Sequence, residues 1–196
     1  MSRVFLSGIA LAASLLAAPG RASAQQEGDP SIGVWNPVLA ASLERLANES
    51  HRGGRRVDAV ARTGRRAVIV TSDQVKGADA GALAQVEPVS DAAGRVDLVV
   101  VMVNLDLMQK LSRLPVTAVD FEDDLDRILA HEVYGHAIPF LLAGHLSGKC
   151  ADPVAGQSAI ASCVIQRENV IRKEMRLGQR LEYGRDSLAL ARRFER

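Results

Sequence analysis

Three side chains within one six-residue run have the types that hydrolytic metal chemistry needs. They are His131, Glu132 and His136 in His131-Glu132-Val133-Tyr134-Gly135-His136. A zinc hydrolase sets two or three neutral imidazoles or carboxylates on the metal and leaves one position for water. It also keeps an unligated carboxylate close by to take the proton from that water. The common solution, His-Glu-x-x-His, places two His four residues apart on one helix. Here the spacing is five. At about 100° per residue, four positions leave the two rings about 40° apart, whereas five leave them about 140° apart, too far to share an ion on a regular helix. A π-type insertion absorbs one residue and restores the four-residue geometry. Gly135 eases that distortion. Pro139 has no N–H, so the Gly135 carbonyl loses its usual helical partner. The sequence therefore predicts a helix bulged or kinked between Gly135 and Pro139. The competing account makes both His ordinary members of an amphipathic helix.

One helix cannot complete such a site, and the best outside donor is Glu168. Ile160, Val164, Ile171 and Met175 form an apolar row at helical spacing, and Glu168 falls within it. A lone carboxylate among core positions is costly unless it is paired or bound to a metal. Glu168 is thus a third ligand, or else the ion-pair partner of Arg167 or Arg172. Glu174 competes for the ligand role, and Asn169 and Arg172 are placed to orient ligands. His145, nine residues after His136, reads as a loop residue before it reads as a ligand. Tyr134 and Tyr183 are candidate donors to a developing oxyanion, with an ordinary core or surface position as the alternative for each. His51 reads as surface.

The elements that would carry these residues follow from periodicity. Residues 25–35 are mostly polar and read as a loose mature N-terminus. Asn36 and Pro37 open a helix whose apolar row is Leu39, Leu43 and Leu46, ending near Asn48. His51-Arg52-Gly53-Gly54 reads as a loop. Residues 67–71 and 96–103 are β-branched runs, the second entered from a turn at 91–94. Residues 83–89 form a weaker strand that Pro88 confines to an edge. Residues 107–111 suggest a helical turn. From Phe121 the period is helical, with Asp120 as cap and Glu122, Asp123 and Asp124 suited to the positive end of the helix dipole. A second helix covers 159–177 with Gly178 as its cap. The polar segment 181–196 reads as a last helix. Strands followed by helices is an α+β order, here around a small mixed or antiparallel sheet.

The N-terminus reads as a secretory signal: Arg3, then an uncharged run from Val4 to Pro19, then Ala22-Ser23-Ala24 before the cut. That run is short for a membrane span, so no stable span is expected once residues 1–24 are removed. Residues 36–196 are expected to form a single domain. The chain has 24 Lys+Arg and 23 Asp+Glu. Without Arg3 and Arg21 the mature charge is about −1, a balance that predicts no nucleic-acid partner. Arg52, Arg55, Arg56, Arg62, Arg65 and Arg66 cluster locally and read as a solvated surface. Export brings an oxidising compartment, so Cys150 and Cys163 are expected to form a disulfide, stabilising by about 3 kcal/mol in the chain-entropy picture.

His131 to His136 match HExxGH, and in this they resemble the zinc motif of dipeptidyl peptidase III. More of the chain, roughly residues 60 to 185, resembles the small zincin-like metallopeptidase domains of bacterial effector and Rhs-type toxin proteins. The shared pieces are Ala130-His131-Glu132, Gly135-His136-Ala137, and Glu168-Asn169 with Arg172 and Glu174. The resemblance implies a gluzincin arrangement, with His131, His136 and Glu168 on Zn2+ and Glu132 as general base. The expectation is an exported, periplasmic or secreted zinc peptidase acting on peptides or proteins. A peptide would lie between the His-bearing helix and the strand 96–103, if that strand is an edge. The alternative is a non-catalytic metal-binding or periplasmic interaction protein with a degenerate site.

Overall fold

A computed structural model describes residues 31–73, 75, 83–113, 121–146 and 159–180. The signal segment, Asp120, Cys150, Tyr183 and the expected last helix lie outside those residues.

Asn36 opens the first helix, α1 (Pro37–Glu49). Its side chain accepts from the backbone N–H groups of Val38 and Leu39 at 2.9 and 3.3 Å, satisfying donors that a helix start leaves unpaired. Leu39 and Leu46 are buried, as the apolar row requires. The expected loop at 51–54 is instead the first turn of a helix, α2 (His51–Ala61). Ser50 caps it by accepting from Gly53 N at 2.9 Å. The two glycines serve close packing: a Cβ at Gly53 would stand 2.4 Å from the Leu46 carbonyl oxygen, and one at Gly54 2.7 Å from that of Ala47.

The strands are β1 (Ile32–Val34), β2 (Arg66–Thr71), β3 (Ala84–Ser90) and β4 (Val96–Val103). They form one mixed sheet in the order β1-β2-β4-β3, with β1, β2 and β4 parallel and β3 antiparallel. Two expectations change here. Residues 32–34 are not a loose tail; they pair with 67–69 of β2. Three residues with a central glycine are too short to show a strand pattern, and the pairing comes from the sheet. Strand 96–103 is not an edge: β2 and β3 flank it on either side. Its buried Val96, Val99, Val101 and Val103 suit that central position. The strand with Pro88 is indeed at the edge.

Asn104 caps α3 (Leu105–Ser112) by accepting from Leu107 N at 3.0 Å. Helix α4 (Phe121–Leu129) starts with the expected acidic turn and buries Leu125, Asp126 and Leu129. The buried Asp126 is held by α1: the Ser42 hydroxyl donates to it, as do Arg45 Nε at 3.2 Å and Nη2 at 2.9 Å. Asp126→Ala should lower unfolding stability by about 1.5–3 kcal/mol, the range for hydrogen bonds to a charged group. Urea denaturation measures it, and an unchanged midpoint would remove this network from the fold's support.

A continuous rod then carries the motif: a π-helical stretch, π1 (Ala130–Ala137), and α5 (Ile138–Ala143), which ends at Gly144 with φ 73°. Helix α6 (Ala159–Glu174) packs along π1. It stops three residues before Leu177. Leu177 N bonds back to the Arg172 carbonyl at 2.9 Å and Arg176 N to that of Lys173 at 3.3 Å. This is a Schellman closure with Arg176 (φ 58°), not Gly178, in the left-handed position. Cys163 is buried on α6 and is not a free thiol. Among the described residues no helix is long and apolar enough to cross a membrane.

Candidate metal centre

The distortion expected from the sequence is present and longer than anticipated. It starts at Ala130, before both His, and covers eight residues. Ile138 N donates to Val133 O, five residues back. A five-residue repeat puts positions 131 and 136 one turn apart. Their ring centroids are 5.0 Å apart at an interplanar angle of 84°. The Gly135 carbonyl, robbed of a donor by Pro139, receives Arg167 Nη1 at 3.5 Å.

Gly135 has a second duty. A Cβ there would stand 2.7 Å from Val164 Cγ1 on α6. Val164 is buried and β-branched, so it has no free rotamer to retreat into. Gly135→Ala is expected to cost about 1–3 kcal/mol by overpacking and to push α6 away from π1. Adding Val164→Ala should restore part of the loss. If calorimetry shows no recovery in the double variant, the clash is not the cause.

Donor atoms of His131, Glu132 and His136 all lie within 4.8 Å of one another. His131 is buried, and Glu132 and His136 are half-buried. Burial, aided by the neighbouring His131, lowers the His136 pKa to about 3. The ring is therefore neutral at pH 7, the form that binds metals. Burial also pushes the Glu132 carboxyl above the usual carboxylate range, with His131 opposing and Glu168 reinforcing that shift.

Glu168 is fully buried on α6, and its Oε2 meets His131 Nδ1. Its Oε1 accepts from Arg172 Nη1 at 2.7 Å, while Arg180 Nη1 stands 3.5 Å from Oε2. Burial acts to raise this carboxyl, but the bond to His131 and the positive neighbours outweigh it and hold Glu168 below the usual range. Of its two expected ion-pair partners, Arg172 is the one in contact; Arg167 goes to Gly135.

The other expected residues fall elsewhere. Glu174 accepts from Ser50 Oγ at 2.6 Å and from Arg52 N at 3.1 Å, so it serves the start of α2. His145 is exposed, with Nδ1 3.0 Å from the Ala143 carbonyl oxygen. Tyr134 is buried. Its hydroxyl contacts no hydrogen-bond partner, and burial pushes its pKa well above the usual phenol value. Asn169 orients no ligand directly. Its side chain clamps the backbone of Arg180, accepting from Arg180 N and donating to Arg180 O, each at 2.7 Å.

Arg180 is the residue that the sequence pattern missed. It is buried, and its Nη1 lies 2.9 Å from His131 Nδ1. It follows the helix end without periodicity. The only available signal was Asn169, a polar residue with clamp chemistry close to Glu168.

Two imidazoles and a carboxylate fit a divalent transition metal, and zinc favours that mix of nitrogen and oxygen donors. The donor atoms that already lie within 4.8 Å of one another are those of His131, Glu132 and His136; Glu168 lies outside that group and touches His131 Nδ1. No protein-family model, curated protein or solved structure matches the sequence.

Proposed function

We propose that the protein is an exported zinc-dependent metallopeptidase. The observation that carries this is the convergence of His131, Glu132 and His136 on one π-helical turn, with Glu168 brought against His131 from a separate helix. His131, His136 and Glu168 would hold the ion. When bound, zinc supplies Lewis acidity that polarises a carbonyl and makes water easier to deprotonate.

The two carboxylates divide the remaining work by environment, since groups whose surroundings push their pKa values apart take different roles. Glu132, pushed up, is the better proton acceptor and takes the proton from water. Glu168, held down, stays anionic as a ligand must. Arg172 and the clamped Arg180 keep its carboxylate and the His131 ring in place. An extended peptide would be received by the edge strand β3, which packs against π1, and not by the buried β4. Pro88 restricts the usable edge to the part nearer Ala84.

A second reading, a non-catalytic metal site, is favoured by one feature: a guanidinium 2.9 Å from His131 Nδ1 competes with a cation. Metal analysis together with a peptide-library digest separates the readings. Zinc near one equivalent with chelator-sensitive cleavage supports the peptidase. Zinc without cleavage supports the second reading. Zinc below roughly a tenth of an equivalent after reconstitution sinks both.

A further inference from the structure

Arg56 lies within electrostatic range of Tyr134 on π1 and of Arg167 on α6, and two of these three side chains carry a buried polar atom with no hydrogen-bond partner. Tyr134 on π1 is fully buried, and its hydroxyl has no hydrogen-bond partner. Arg56 on α2 has a buried Nη1 that is likewise unpartnered, and it lies within electrostatic reach of Tyr134. Arg167 on α6 has one weak contact, Nη1 to the Gly135 carbonyl at 3.5 Å, and lies within reach of Arg56.

Each feature is unfavourable by itself. A buried hydroxyl with nothing to bond, and a buried guanidinium N–H with nothing to donate to, both carry an uncompensated desolvation cost. Two like charges placed together add repulsion. Glu174, the acidic group within reach of Arg56, is already engaged by Ser50 and the Arg52 backbone. One ligand class satisfies all three groups at once: an oxyanion, whose several acceptor oxygens take N–H bonds from both forks and the phenol O–H.

We propose that Arg56, Arg167 and the Tyr134 hydroxyl form a binding site for a small oxyanion, carboxylate or phosphate, at the junction of α2, π1 and α6. The bound anion ties α2 and α6 to the rear of the turn that carries His131 and His136. The proposal does not rest on the peptidase reading and stands if no metal binds.

The test is thermal unfolding of the full chain, as purified and again after metal removal and dialysis. Inorganic phosphate or acetate is titrated against chloride at equal ionic strength. The expected result is a saturable rise in melting temperature with at least one of the two oxyanions, whichever binds more tightly naming the class. It should persist in metal-free protein. Tyr134→Phe removes only an unpaired hydroxyl and should fold normally, with stability equal to or above the parent in chloride. In saturating oxyanion that order should reverse. Arg56→Met should weaken half-saturation at least about tenfold, one charge-assisted bond's worth, while Arg55→Met, on an exposed residue of the same helix, should not. A linear, non-saturating response to phosphate and acetate overturns the proposal. So does a saturable response unchanged in both Tyr134→Phe and Arg56→Met.

Discussion

Glu132→Gln is expected to lower peptide hydrolysis by about 10²–10⁴-fold, the usual range for losing a general base, while zinc content stays near that of the parent. The amide has nearly the same shape and size as the carboxyl but cannot accept the proton. Glu132 sits partly buried beside both His with its carboxyl biased toward protonation, so the variant loses the basic function without opening a cavity. Turnover and metal stoichiometry must be measured on the same preparation. Unchanged cleavage would remove Glu132 from the base role. Lost zinc with lost cleavage would make it a ligand, a role its 4.8 Å grouping with the two His also permits.

The second large effect belongs to Glu168. Glu168→Ala removes the carboxylate shared by His131, Arg172 and Arg180, all buried. Breaking a buried charge network from one side costs about 3–5 kcal/mol, so a strong drop in the urea midpoint is expected. Glu168→Gln keeps the volume and removes the charge. It should fold, and its zinc affinity should fall by at least the roughly 10–100-fold typical of losing even an outer partner of a metal ligand. Equilibrium competition with a zinc chelator reads this directly. Glu174→Gln is the comparison and should leave zinc affinity alone, because Glu174 belongs to the start of α2. If Glu174→Gln weakens zinc and Glu168→Gln does not, the ligand assignment is wrong.

What could be read in advance was set by local rules. The Asn36-Pro37 start, the strand 96–103, the edge position of the Pro88 strand and the acidic start of α4 all follow from short-range chemistry. The π distortion was legible because a five-residue His spacing, a glycine and a proline all pointed to it. The α2 start was not, because Gly53-Gly54 has the composition of a loop, and only close contact with α1 explains why glycine suits a helix there. Strand β1 depends on pairing with a partner more than thirty residues away, which no short pattern encodes. Arg180 reaches the site through the return of the chain after α6 and its Asn169 clamp, again a tertiary effect. Glu168 was legible as a charge in an apolar row, although its two arginine contacts show that a row position does not decide between ligand and ion pair.

The widened turn also fixes how the two ends of the rod face the core. Counted at about 100° per residue without interruption, Leu141 would lie about 160° around the axis from Leu125, on nearly the opposite side. Both are buried. Absorbing one residue in π1 brings Leu141 to about 60° from Leu125 and Ala137 to about 20°, in line with Leu129 at about 40°. The same slack that lets His131 and His136 face each other keeps a single apolar stripe in phase along the whole rod. Metal geometry and hydrophobic packing are thus locked to one residue of excess length. A change that straightened the turn would misalign both together.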